Sequence, residues 1–121
     1  MKIGDLIGLL FLARDTAHIA HLKSTSYAKH MALGDFYSGV EGLADDLTEQ
    51  YQGQFGLIPV ARVARTTEPT DSNIVSTLKD QLAQIQTGRS EAVGDDSSLN
   101  NVIDEIVGLY RKTIYRLRFM V

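Results

Sequence analysis

Apolar residues recur along this chain at steps of three and four in four separate stretches, the spacing of one face of an α-helix. In the first, Ile3 to about Ser24, the positions are Ile3, Leu6, Leu10, Ala13, Ala17 and Ala20, with Ile7, Leu9, Phe11 and Leu12 widening the face. Its early part is apolar nearly all round, which predicts burial on two sides, as at a subunit contact or within a bundle. The second stretch, Tyr27 to about Tyr51, alternates Leu33, Phe36, Val40, Leu43 and Leu47 along one seam. Gly34, Gly39 and Gly42 lie inside it, each costing about 1 kcal/mol relative to Ala, so they predict a close helix neighbour. Gly53 is the expected terminator. The third stretch runs from about Asp71 to Thr87 with Ile74, Leu78, Leu82 and Ile85 as its stripe and Gly88 as its stop. The fourth follows the cap residues Asp95, Asp96 and Ser97 and continues nearly to the end. Leu99, Val102, Ile103, Ile106, Leu109, Tyr110, Thr113, Ile114 and Leu117 face inward there.

The links between these helices differ in length. Lys23 to Ser26 is a tight polar turn in which Ser24, Thr25 or Ser26 caps the second helix. Arg89 to Ser98 is a polar link of medium length. Gln54 to Thr70 is long, broken by Pro59 and Pro69, and carries Leu57, Ile58, Val60 and Val63 to dock on the body, with one short helical turn at most. A link of that length is usually ordered against something or functional. Its Arg62 and Arg65 read as solvated loop charges before they read as a basic spot. Two short-linked hairpins joined by one long crossover between helices two and three define an all-α, ferritin-like four-helix bundle. At 121 residues the whole chain, 1–121, reads as a single domain.

Composition narrows the function classes. The chain has no cysteine, which excludes disulfides, thiolate zinc sites and cysteine nucleophiles. A net charge of −3 argues against nucleic-acid binding. The cations Arg111, Lys112, Arg116 and Arg118 at the end of the last helix are accounted for by its dipole. Ile3 to Ala13 is too short an apolar run to span a bilayer, and a single Lys2 ahead of Asp5 does not make a signal peptide. The expected setting is therefore a cytoplasm, with no membrane. No nucleophile elbow or phosphate loop occurs, and the run His18-Ile19-Ala20-His21 lacks the glutamate of a zinc-protease helix.

What remains is a histidine and carboxylate set. All three histidines, His18, His21 and His30, fall within thirteen positions across the first turn. Glu41, Asp45 and Glu49 follow at helical spacing, and neutral imidazole and carboxylate are ligands that first-row metals accept. The competing reading is a solvated acidic face made by Glu41, Asp45, Asp46 and Glu49. Tyr37, one turn from Glu41, either fills space or hydrogen-bonds a ligand.

The layout His18, His30, Asp45, Glu49 resembles the inter-subunit ferroxidase site of the Dps group of the ferritin superfamily. The resemblance runs from about Leu10 to Gly53. It implies that His18 and His30 come from one subunit and Asp45 and Glu49 from its two-fold partner, binding iron for oxidation by peroxide or oxygen. His21, Glu41, Asp46, Asp15 and Tyr37 are additional candidates for the metal or its surroundings. Ile19 stands where the Dps pattern has tryptophan, and the basic N-terminal tail of some Dps proteins is missing. The segments HLKSTSYAKHMALGDFYSGVEGLADDLTEQYQG and NNVIDEIVGLYRKTIYRLRFMV also resemble small uncharacterised, Dps-like proteins of bacteriophages, implying a host cytoplasm. Two functions follow as expectations. One is a metal-binding homo-oligomer, at least a dimer, working as a ferroxidase. The other is a non-enzymatic phage-encoded helical protein that binds a host or virion protein through helix one or the crossover.

Overall fold

A computed structural model describes residues 1–121 and contains four helices and no strands: α1 (Ile3–Lys23), α2 (Tyr27–Phe55), α3 (Ile74–Val93) and α4 (Ser97–Phe119). Helix α1 begins where the Asp5 carboxylate accepts the Lys2 backbone N–H at 3.0 Å. Of the three possible caps for α2, Ser26 is the one used, its hydroxyl accepting the Lys29 N–H at 3.3 Å. Asp96 does the same for α4, accepting from Leu99 N–H at 2.9 Å.

Two expected stops are run through. Gly53 stays helical, and α2 ends at Gly56, whose φ of 95° only glycine adopts freely. Gly88 also stays helical and is buried, because the Met1 side chain lies where a Cβ would project. Helix α3 therefore continues through Arg89 to Val93 and ends at Gly94, φ 61°. In both places a glycine chosen for its lack of side chain, or merely tolerated, resembled a terminator in the sequence.

Each helix touches two others: α1 touches α2 and α3, and α4 touches α2 and α3. Helices α1 and α4 are diagonal, as are α2 and α3. Contacts set the directions. The N-terminal amine reaches Glu91 near the end of α3, while Arg116 near the end of α4 bonds Asp35 early in α2 at 2.8 Å. All four touching pairs are thus antiparallel. The 26 buried hydrophobic residues form one cluster, with Tyr110 and Phe36 its largest fully buried side chains.

The crossover, residues 56–73, runs back along the outside of α1 as a strap. Ala61 N–H bonds Gly4 C=O at 3.1 Å, and a Cβ at Gly4 or Gly8 would run into the carbonyl oxygens of Pro59 or Ala61. Lys23 at the end of α1 bonds Glu68 at 2.8 Å, fastening the far end of the strap. This accounts for the apolar girth of α1: one side meets the core and the strap lies along another. The strap has no helical turn before Thr70; of the residues expected to dock, Leu57 stays 89% exposed and Val60 and Val63 are covered only in part. Arg65 lies 3.7 Å from Glu68, a carboxylate already bonded to Lys23.

Candidate functional site

The α1–α2 turn brings the three histidines together with Tyr37. His21 closes α1 and His30 lies in the first turn of α2, so the short turn sets them side by side. Their rings stack with centroids 3.7 Å apart and 17° between planes. His21 Nδ1 lies 2.6 Å from the His30 carbonyl oxygen, and His30 Nδ1 lies 2.8 Å from the His21 carbonyl oxygen. A carbonyl only accepts, so each Nδ1 carries a proton, and in the neutral ring each Nε2 then keeps its lone pair. The result is a reciprocal clasp. It satisfies a carbonyl in the last turn of α1 that has no intrahelical partner of its own. Gly34 is part of it, because a Cβ there would lie 3.0 Å from the His21 ring.

His18 stands outside the clasp. Its ring stacks on Tyr37 with centroids 4.2 Å apart, and is 6.3 Å from His21. Tyr37 also meets His21 edge-on at 5.4 Å.

The carboxylates lie further along α2. Fifteen residues of helix separate His30 from Asp45, about 22 Å at 1.5 Å per residue. A metal–ligand bond is about 2 Å long, so one chain does not bring His18, His30, Asp45 and Glu49 to one ion. No group of three or more His, Asp or Glu side chains within the chain is placed to hold a metal. Asp15, Glu41 and Asp45 instead share a shallow depression with Arg14 and Phe11. Arg14 lies 3.3 Å from Asp15 and 3.5 Å from Glu41. Asp46 accepts a hydrogen bond from Gln50 at 2.9 Å, and Glu49 is exposed. Bringing Asp45 and Glu49 to a histidine needs a second copy of the chain.

A different surface stands out on α4. Arg111, Tyr115 and Arg118 fall at i, i+4 and i+7, with Lys112 and Phe119 beside them. Tyr115 and Phe119 are 55% and 62% exposed and 5.8 Å apart, and Arg118 lies over the Phe119 ring at 4.8 Å. Arg111, Lys112 and Arg118 pair with no carboxylate; only Arg116, on the side facing α2, does. The cations were legible in the sequence, and the dipole explained them well enough to hide the aromatic residues between them.

Comparison with known proteins places this geometry in a family. The chain belongs to DUF5856, a family of unknown function, whose profile matches residues 21–117. That range begins at His21 and takes in the clasp, the strap and, of the α4 stripe, Arg111, Lys112 and Tyr115, ending just before Arg118 and Phe119. The chain is also similar to an "Uncharacterized 14.6 kDa protein in mobD-ri intergenic region" of Enterobacteria phage T4, 29% identical over 118 residues, covering 96% of this chain and 88% of the phage protein. No solved structure matches. The relationship is to a bacteriophage protein, and the match does not extend to Dps or ferritin. No helix is long and apolar enough to cross a membrane.

Proposed function

We propose that this chain is a non-enzymatic helical binding protein of phage type, and that it engages an acidic surface of a host or virion protein. The observation that carries this reading is the α4 stripe: three cations without counterions, interleaved with two exposed aromatic rings, on a protein of net charge −3. Aromatic and Arg side chains are the usual anchors of interfaces, and unpaired cations select an acidic partner. The two contact surfaces expected from the sequence, helix one and the crossover, pack in part against each other. The similarity to the T4 protein supports the phage setting.

The test is isolation of a partner from phage-infected bacteria with tagged protein, followed by reconstitution from purified components. Arg111→Glu with Tyr115→Ser is expected to abolish the reconstituted complex. A complex that ignores these changes, or a stripe that retains duplex DNA instead, overturns the reading.

A second reading, a Dps-like ferroxidase acting on iron between subunits, has its own support. The single crossover and the antiparallel neighbours are those of the ferritin-like bundle. In the neutral ring the carbonyl bond at His30 Nδ1 puts the lone pair on Nε2, the arrangement that carbonyl partners impose on metal-binding histidines. Anaerobic iron(II) titration followed by peroxide tests it, with Asp45→Asn and Glu49→Gln as the variants. These two residues are exposed, whereas His30→Ala would also break the clasp. Saturable binding in wild type alone, with a mass of at least two chains, supports the ferroxidase; equal behaviour of wild type and variant removes it.

A further inference from the structure

A cleft of about 320 Å³ opens between α1, α3 and the strap. Two nearly buried residues line it, and both keep polar atoms that the fold does not use. Gln81 is 4% exposed and Thr16 is 3% exposed. Gln81 Oε1 accepts the Tyr110 hydroxyl at 2.8 Å, but the Gln81 amide nitrogen has no protein partner. The Thr16 hydroxyl has none either, although Thr48, Thr87 and Thr113 all bond back to the carbonyl four residues earlier. The side-chain polar atoms sealed from solvent without a hydrogen bond are Arg14 Nε and Asp71 Oδ1 alone. The Gln81 and Thr16 atoms therefore reach outside, through the cleft they line. Buried polar groups ordinarily find partners, and these two await theirs in the same cleft.

The rest of the lining shows what would fit. Arg65 and Asp80 contribute opposite charges; Asp80 pairs with no cation, and Arg65 is held by Glu68 only at 3.7 Å. Leu9, Leu12 and Val63 add an apolar wall. The volume is at the low end for small-molecule sites. We propose that this cleft binds a free α-amino acid. Arg65, the Gln81 amide and the Thr16 hydroxyl donate to its carboxylate, Asp80 takes its ammonium group, and a short side chain lies on the apolar wall. The site is separate from the α4 stripe and from the histidines, and stands or falls without them.

The test is an amide NMR titration of the full chain with L-serine, L-valine and L-glutamine, each to about 10 mM, alongside their N-acetyl amide counterparts. Saturable shifts at residues 63–67 and 77–84 with at least one free amino acid, absent with its blocked counterpart, are expected. Asp80→Asn, at an exposed position, and Thr16→Val, close in shape, are each expected to weaken binding by about tenfold while the melting temperature shows that both still fold. No saturable shift with any of the three, equal response to the blocked compounds, or unchanged affinity in both variants overturns the assignment.

Discussion

A neutral imidazole has one donor and one acceptor, and how the donor is used decides what the ring is for. His21 and His30 spend theirs on each other's carbonyl oxygens, at 2.6 and 2.8 Å. The clasp therefore contributes to stability in the absence of any metal. His30→Ala is expected to lower the unfolding free energy of metal-free protein by about 1–3 kcal/mol, because it removes a hydrogen bond and a stacked ring. Asp45→Asn, at an exposed position, should change it by less than about 0.5 kcal/mol. Urea denaturation of both variants checks the contrast, and equal effects would contradict the clasp. Glycines in α2 sharpen the same argument. Gly42 has open space where a Cβ would be, so Gly42→Ala should stabilise by about 1 kcal/mol. Gly34→Ala gains the same propensity but meets the His21 ring at 3.0 Å. That ring is held on both sides, so the variant is expected to melt below Gly42→Ala.

At the scale of elements, the strap is the unusual part. It has no helix or strand before Thr70, yet it packs closely enough on α1 that Gly4 and Gly8 leave no room for a Cβ against its carbonyls. Gly8→Ala is expected to cost about 1–3 kcal/mol of overpacking, which exceeds the gain of about 1 kcal/mol in helix propensity. Displacing the strap should also speed tryptic cleavage after Arg62 and Arg65. A variant as stable and as resistant as wild type would show that the strap yields freely. The far end of the strap is electrostatic. The Lys23 hydrogen bond and charge, with a smaller effect from Arg65, hold the Glu68 carboxyl below its ordinary range. A lowered folded-state value means that the tie is present above the unfolded carboxylate range and is lost as pH falls through the folded value. Carboxyl NMR of Glu68 should titrate below the ordinary glutamate range, and Lys23→Gln should move it upward.

For the molecule as a whole, Tyr110 joins three of the four helices. Its ring meets Phe36 of α2 edge-on at 4.8 Å, and its hydroxyl donates to Gln81 of α3. Burial pushes the phenol well above its ordinary range, so it stays a donor at neutral pH. Tyr110→Phe leaves Gln81 Oε1 short of its partner deep between the helices, and should cost about 1–3 kcal/mol in a denaturant titration. A negligible change would mean that water from the cleft replaces the hydroxyl. Gln81 shows how sequence patterns mislead at this scale. The buried line of α3 is Ile74, Leu78, Gln81, Ile85, Gly88 and Ala92, a strict alternation of four and three. Hydrophobicity alone put Leu82 on that line and left out its polar member. A glutamine at a core register position was the available signal.

The sequence by itself determined four helices, most of their inward faces, the short stretches that hold the caps of α2 and α4, and the long second link, because 3.6-residue periodicity and cap chemistry are local properties of the chain. It also showed that histidines gather across the first turn. Tertiary structure alone decided what lies on α1, which glycines terminate and which pack, and what the imidazoles bond to. Those outcomes depend on which surfaces meet: a strap can cover an apolar face as well as a subunit can, and a glycine reads the same whether it bends the chain or makes room for Met1. The spacing of His18, His30, Asp45 and Glu49 is visible along the chain, but about 22 Å of helix lies between His30 and Asp45. Only an arrangement of two copies could close that distance.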